Sequence, residues 1–298
     1  MGYSPDNSIL DYRWLQTSIP ILRKVLSNVL KCTRSEYNMQ YLGGKSRISK
    51  QISEVINEIP RWKIKNSETN CNDNNRSWGD DLTFVSLFCG SCSIESKVDG
   101  FARKILNDKH EYLIELLNGV KHGYDLPESI SVDDYKYIKE HKDEDKVLAG
   151  FVGFGCSFGG KWFGGYERNK TGTNYAAQSK RSLLKDMNTL MDAEFICKDY
   201  REVELPQNCV VYADPPYNGT TGYGKEKFDS NEFWNYMREI SKDHIVFISE
   251  QNAPDDFVAI WSKPFTRTLD VNKNNQFKVT EKLFVHQNNL KYIQHYSK

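Results

Sequence analysis

The segment Val210-Val211-Tyr212-Ala213-Asp214-Pro215-Pro216-Tyr217 dominates the interpretation of this sequence. Its first half is apolar and contains β-branched residues, which indicates a buried strand that stops abruptly at an acid and two prolines. Because proline fixes its own φ and has no backbone N–H, consecutive prolines form a rigid turn whose carbonyls point outward without partners. Ligands bind at the carboxyl ends of strands in open α/β sheets. We therefore expect this turn to contact a ligand.

Asp214 and Pro215 supply two acceptors that suit an exocyclic amino group. The lone pair of an aromatic amine such as adenine N6 is delocalised into the ring, and the nitrogen becomes a better nucleophile when acceptors hold both of its N–H bonds. The Asp214 carboxylate and the Pro215 carbonyl would do this by preorganised geometry rather than by deprotonation, and Tyr217 would stack on the base. The alternative is a Pro-Pro turn that only ends a strand.

Asp-Pro-Pro-Tyr after an apolar strand resembles the catalytic motif of S-adenosylmethionine-dependent amino methyltransferases, in particular phage-type members of the Dam-type adenine-N6 DNA methyltransferases. The resemblance covers about residues 37–286. Its order is the alpha order: an amino-terminal Gly-Gly-Lys, a cofactor loop, a recognition insert and then Asp-Pro-Pro-Tyr. It implies an α/β fold, a Rossmann-like methyltransferase sheet with helices on both faces, plus a small, mostly helical target-recognition insert.

This resemblance implies a site-specific enzyme that moves a methyl group from S-adenosyl-L-methionine to N6 of an adenine flipped out of double-stranded DNA. The implied catalytic residues are Asp214, Pro215, Pro216 and Tyr217, and neither a metal nor a covalent intermediate is implied. Three alternatives stay open. They are methylation of cytosine N4, whose enzymes usually have serine in place of Asp214, methylation of RNA or of a protein glutamine, and a catalytically weak or inactive DNA-binding relative.

The composition is that of a globular protein rather than a disordered one, because 39% of the 298 residues are hydrophobic and 27% are charged. No signal peptide or long apolar run is visible near the N-terminus, so we expect a cytoplasmic protein that does not bind membranes. We also expect a monomer or a weak homodimer. Seven scattered cysteines do not indicate a disulfide framework. Cys89 and Cys92 have redox or zinc spacing but lack a second pair, so no metal site is expected.

Charge is unevenly distributed although forty basic residues balance forty acidic ones. Residues 159–185 contain six basic residues and one acid, a local excess of +5, and residues 125–145 contain eight acids and three lysines, a local excess of −5. This pattern is compatible with a phosphate-binding face backed by an acidic face, although charged segments are more often simply solvated.

Three regions follow from the order of the motifs. Residues 1–36 form an N-terminal helical extension that packs on its own domain or pairs with a second copy. Residues 37–117 and 191–298 form the S-adenosylmethionine-binding catalytic domain, and residues 118–190 form the target-recognition insert. Asparagine-rich residues 66–81 indicate a surface loop, and residues 218–227 a loop that closes over the base.

An amino-terminal cofactor segment is indicated by Gly-Gly-Lys before a helical pattern that begins at Ile48. Two glycines at the start of a helix let backbone amides approach a ligand closely, and a tight turn is the alternative. Tyr-Leu-Gly-Gly-Lys resembles the family's first motif, which implies that Tyr41, Gly43, Gly44 and Lys45 line the cofactor pocket, with Lys45 facing the cofactor or the base.

The strand Leu82–Phe88 and the small residues after it predict the first strand and turn of a Rossmann-like fold. Phe88, Cys89, Gly90 and Ser91 resemble the Phe-x-Gly-Gly loop that wraps the methionine part of S-adenosylmethionine. Ser91 stands where a second glycine is frequent. Because serine tolerates fewer backbone conformations than glycine, we expect this substitution to affect cofactor affinity.

Two further acids follow predicted strands. Asp108 ends the second strand, near residues 104–106, and resembles the family's ribose-binding position; a helix N-cap is its alternative role. Asp199 and Tyr200 follow a strand that begins at Glu194, and the resemblance implies that they contact the cofactor adenine. A helix over residues 233–240 and strands over 244–250 and 282–286 complete the predicted domain.

Glycine and aromatic residues alternate with basic ones in residues 151–166 and beyond. Nucleic-acid surfaces combine stacking side chains with phosphate partners in this way, although packed loops have the same composition. The segment resembles the target-recognition insert of phage-type members. We therefore predict DNA contacts from Lys161, Arg168, Lys170 and Arg181.

Overall fold

The computed structural model describes residues 44–67, 82–216, 228–268 and 276–293, with the backbone alone for residues 61–67, 265–268 and 276–277. The predictions made for residues 1–36, for Tyr41 and Gly43, for Tyr217 and for the loop 218–227 lie outside the described residues.

A seven-stranded mixed sheet forms the centre of the protein, with the strand order 3-2-1-4-5-7-6. Its strands are β1 Thr83–Ser86, β2 Arg103–Asn107, β3 Glu194–Ile196, β4 Cys209–Ala213, β5 Ile245–Glu250, β6 Phe257–Thr268 and β7 Gln276–His286. The pairs from β3 to β5 are parallel, whereas β7 runs antiparallel to both β5 and β6. This topology confirms the predicted Rossmann-like α/β sheet. The sequence analysis did not predict β6.

Six α-helices lie in the described ranges. They are α1 Ser49–Ser67, α2 Glu111–Lys121, α3 Val132–Glu140, α4 Lys146–Gly150, α5 Tyr175–Met187 and α6 Ser230–Ile240. Helix α1 begins at the predicted place, and its fully buried Ile52 and Ile56 lie one turn apart on its inner face. It also includes residues 66 and 67, which were predicted to begin a loop. Within the described ranges no helix is long and apolar enough to span a membrane.

Two hydrophobic clusters cover the two faces of the sheet. Each strand contributes to both clusters, because its successive residues point to opposite sides. Phe84 and Tyr212 belong to a hydrophobic cluster that includes residues of α1, α2 and the insert. Val85 and Val211 belong to a second cluster with Met237 of α6. These continuous apolar strands are typical of a parallel sheet buried on both faces. The carboxyl edge of the strands is therefore left as the place where a ligand can bind.

The insert is helical, as predicted, but most aromatic rings of its glycine-rich segment are buried or half-buried rather than exposed to a nucleic acid. Phe151 and Phe154 are completely buried, and Trp162 packs against Phe154 with ring centroids 4.8 Å apart. Gly153 permits this packing, because a Cβ at that position would lie 2.2 Å from the Trp162 ring. Packing, the alternative interpretation, is thus correct for these aromatics, although Phe151 and Phe154 lie in the π-helix Phe151–Gly155 and not in a loop. Phe158, 61% exposed, is an exception.

The acidic and basic segments of the insert are not fully separated either. Lys180, counted in the basic excess, lies 3.2 Å from an Asp125 oxygen and 2.8 Å from a Glu128 oxygen. It also donates a hydrogen bond to the backbone carbonyl of Leu126. Its charge is therefore neutralised locally, and the predicted opposition of a basic face and an acidic face is wrong at this point.

Candidate active site

Asp214 lies directly after β4, at the carboxyl edge of the sheet. β4 pairs with β1 and β5, so the ends of three parallel strands meet at this edge. The Asp214 side chain is 18% exposed, and its Oδ1 is 3.0 Å from Nζ of the buried Lys45. Pro215 and Pro216 follow with no regular secondary structure. The structure therefore brings together two predicted site residues that are far apart in sequence.

Glu281 completes this charged group and was not singled out from the sequence. Its Oε2 is 3.2 Å from Lys45 Nζ, and its side chain is 1% exposed. Glu281 lies inside β7, whose antiparallel pairing aligns Lys282 with Glu250 at the end of β5. An interior residue of β7 thereby reaches the same edge as Asp214, which no local sequence signal indicates.

Two more carboxyl groups near Asp214 have raised pKa values. Glu95 is buried, accepts a hydrogen bond of 2.7 Å from the Ser86 hydroxyl, and has its pKa raised to about 7 by desolvation. Burial also raises the pKa of Glu250. Burial therefore disfavours the charged form of both carboxyl groups, since buried carboxylates without compensating charge are costly.

The cofactor loop predicted at Phe88 to Ser91 is fastened to the second strand. Asp108 accepts hydrogen bonds from the Gly90 N–H at 3.0 Å and from the His110 N–H at 2.9 Å. Helix α2 begins at Glu111 with His110 as its N-cap residue, so the alternative role of Asp108 as an N-cap is wrong. Desolvation raises the pKa of Asp108. This carboxyl group therefore sits beside the glycine loop, where a ribose contact was predicted.

The position in this loop that requires an unusual backbone conformation is Cys92 rather than Ser91. Gly90 and Cys92 have φ values of 50° and 58°, whereas Ser91 is absent from the residues with positive φ. The left-handed region is costly for residues with a Cβ. Ser91 therefore does not adopt a conformation that serine tolerates poorly, and the strain lies at the buried Cys92. The expected effect of Ser91 on cofactor affinity stays a prediction.

We expect the usual preference for alanine over glycine to be reversed at Cys92 but not at Ser91. The difference in unfolding free energy between the glycine and alanine variants should favour glycine at Cys92 by about 1–2 kcal/mol more than at Ser91, because alanine pays the left-handed penalty only at Cys92. Urea denaturation of the four variants measures this difference. Equal differences at the two positions would contradict the assignment of strain to Cys92.

Tyr200 and Asp199 lie next to the cofactor loop. The Tyr200 ring packs on Phe88, with centroids 5.2 Å apart. Asp199 accepts hydrogen bonds from Arg201 at 2.8 and 3.1 Å and from the exposed Lys109 at 3.3 Å. The bonds from Arg201, ahead of the opposing effect of burial, lower the pKa of Asp199 to about 2. A cofactor amino group that binds Asp199 would therefore displace the longer hydrogen bond from the exposed Lys109 before the shorter bonds from Arg201.

The sequence model for the D12 class of N6 adenine-specific DNA methyltransferases matches residues 41–151 and 161–293, which include both parts of this site. The chain belongs to this family. The family-level part of the predicted resemblance is thus confirmed.

The relatives compared with this D12-class chain share little sequence identity with it. It is 22% identical to the type II methyltransferase M.FokI of Planomicrobium okeanokoites over 85% of its own length, but it spans only 43% of that protein. Solved structures with partial likeness include a putative RNA methyltransferase from Pyrococcus horikoshii, at 8% identity and a TM-score of 0.32, covering 68% of this chain and 74% of that one. A putative methylase from Haemophilus influenzae has 12% identity and a TM-score of 0.28, covering 75% and 98%. The fold of this chain is defined by its own strand order, 3-2-1-4-5-7-6.

The cysteines of the cofactor loop are structural in this D12-class site. Cys89 and Cys92 are both buried and free, and burial raises the pKa of the Cys89 thiol well above its usual value. A buried thiol with a raised pKa is a poor nucleophile and a poor metal ligand. Across the part of the chain that the structure describes, no group of three metal-ligating side chains is found.

The side chains predicted to contact DNA lie on the surface of the insert. Lys161, Arg168, Lys170 and Arg181 are all exposed. The neighbouring Lys180 is held by acids, as described above. The geometry is compatible with the predicted contacts, which stay a prediction.

Proposed function

We propose that this D12-class protein transfers a methyl group from S-adenosyl-L-methionine to N6 of an adenine that is flipped out of duplex DNA, and that it does so within a specific short sequence. The observation that carries the proposal is Asp214 at the carboxyl edge of the sheet, partly exposed and next to a buried lysine. Family membership supports the adenine and the DNA. We further propose that it is a Dam-type, phage-type member.

In this mechanism Asp214 and the Pro215 carbonyl accept the two N–H bonds of adenine N6. The nitrogen lone pair would then be directed at the electrophilic methyl group that S-adenosylmethionine supplies when bound, and the proton that N6 loses would pass along its hydrogen bond to Asp214 and on to water. Positioning and fixed dipoles supply most of the rate, because they need no reorganisation during the reaction. Tyr217, outside the described residues, would stack on the base.

The residues around the glycine loop fit S-adenosylmethionine, which when bound supplies an electrophilic methyl group on a sulfonium centre. Each Asp108 oxygen already accepts one backbone N–H and can accept a second donor, so both ribose hydroxyls can be bound there. Gly90 adopts a positive φ, and without a side chain it would let the loop backbone approach a ligand closely. Phe88 and Tyr200 offer aromatic surface beside Asp199 for the adenine end.

Exposed basic side chains of the insert would bind the phosphates of the DNA. We expect an Arg181→Ala variant to make the negative slope of log affinity against log salt shallower by about one, because each phosphate contact releases counterions. The matched control is Lys180→Ala, whose charge is already neutralised by Asp125 and Glu128, so its slope should change less. Fluorescence anisotropy at several salt concentrations measures both. Equal slopes for wild type and the Arg181 variant would remove Arg181 from the interface.

The proposed reaction is tested by incubating the purified protein with S-adenosylmethionine and unmethylated genomic DNA and then mapping modified bases by single-molecule sequencing. A parallel reaction without S-adenosylmethionine is the control. N6-methyladenine confined to one short sequence is the expected result. Cofactor binding without modified adenine would overturn the proposal, and assays with RNA and with cytosine-containing duplexes would then identify the substrate class.

A further inference from the structure

Lys45 lies between two carboxylates that come from different strands. Its Nζ is 3.0 Å from Oδ1 of Asp214 and 3.2 Å from Oε2 of Glu281. The Lys45 and Glu281 side chains are 4% and 1% exposed, whereas Asp214 is 18% exposed. The Asp214 end of this triad is therefore the one that a substrate can reach.

This arrangement creates a competition at Asp214. The proposed reaction needs Asp214 to accept an N–H from the base, while the Lys45 ammonium already lies at hydrogen-bond distance from one Asp214 oxygen. A buried ammonium cannot simply leave a carboxylate, since an uncompensated buried charge is expensive. Glu281 is in place to keep that compensation when the base arrives.

We propose that Glu281 is a positioning residue for methyl transfer, which holds Lys45 so that Asp214 can exchange the ammonium for the amino group of the target base. This inference rests on the proposed function. It predicts that loss of the Glu281 charge leaves Lys45 more tightly paired with Asp214, so that the base must displace it. The cost then falls on the step that engages the base and not on binding of the cofactor.

The first test compares Glu281→Gln with wild type in steady-state methylation of a duplex that carries the recognised site. We expect kcat to fall roughly 10-fold to 100-fold, as when other orienting partners of an active-site group are removed. Affinity for S-adenosylmethionine, measured by calorimetry, and affinity for DNA, measured by anisotropy, should each change less than about threefold. Glu194→Gln is the control, because it removes a carboxylate from an ion pair with Arg103 that lies outside the triad, and it should change kcat less.

The second test is a double-mutant cycle with Lys45→Met. If Glu281 acts through Lys45, adding Glu281→Gln to the Lys45→Met variant should lower kcat by no more than about threefold further. A purely structural role would instead give the same loss in both backgrounds and would lower thermal stability in parallel.

Three results would overturn the inference: a Glu281→Gln variant with kcat near that of wild type, an equal loss in the Glu194→Gln control, or an undiminished loss in the Lys45→Met background. A wild-type protein that binds S-adenosylmethionine but methylates no DNA would instead overturn the proposed function, together with the inference that rests on it. The two failures are therefore distinguishable.

Discussion

An Asp214→Ala variant is expected to lose methyl transfer by about 100-fold to 1,000-fold in kcat, the usual effect of removing one preorganised group that stabilises the transition state. The reason is that the variant leaves only the Pro215 carbonyl to hold the amino group. Lys45 keeps Glu281 at 3.2 Å, so the fold should survive the change. Transfer of a labelled methyl group to DNA measures kcat, and calorimetry should show cofactor affinity within about threefold of wild type.

Asp214→Asn is the matched control, because it keeps one acceptor oxygen and the size of the side chain while removing the charge. Its activity should lie between those of wild type and Asp214→Ala. An alanine variant that retains more than a tenth of the wild-type kcat would show that Asp214 does not hold the reacting group, and the Pro-Pro turn would then be an end to a strand only.

An Asp108→Ala variant is expected to bind S-adenosylmethionine about 10-fold to 100-fold more weakly, as when a hydrogen-bonded charged group worth about 1.5–3 kcal/mol is removed. The loss has two sources, the ribose contact and the support of the Gly90 and His110 backbone N–H groups at 3.0 and 2.9 Å. Calorimetric titration measures the dissociation constant. The free energy of unfolding, from urea denaturation, should fall as well, since two partly buried donors lose their acceptor.

Two control variants separate these sources. Asp108→Asn keeps one acceptor oxygen, so it should be more stable than Asp108→Ala. Its contact with the ribose hydroxyls should stay weakened if that contact needs the charge. Asp133→Ala removes an acid on the surface of α3, 92% exposed, and should change neither quantity. Unchanged cofactor affinity in Asp108→Ala, with only stability reduced, would limit Asp108 to supporting the loop.

Local patterns predicted the parts of the molecule whose structure is set by neighbours in the chain. The apolar run that ends at Asp214 was correctly interpreted as a buried strand, and the helix that carries Ile52 and Ile56 begins where its spacing indicated. Such patterns report which side of an element is buried, because strands alternate and helices repeat every 3.6 residues. They do not report what covers that side. The aromatic segment of the insert shows the consequence, since its rings were predicted for DNA and pack in the core.

The sequence by itself therefore determined the fold class, the buried strand that ends before Asp214 and the family, because each depends on residues that are adjacent or regularly spaced. Only the tertiary structure decided that Glu281 meets Lys45 and Asp214 at one edge, since that contact depends on the antiparallel register of β7, and a shift by one residue would turn the side chain to the opposite face. It also decided that Cys92, and not Ser91, has the left-handed backbone conformation. Long-range packing selects such conformations, and a local sequence pattern carries no information about that packing.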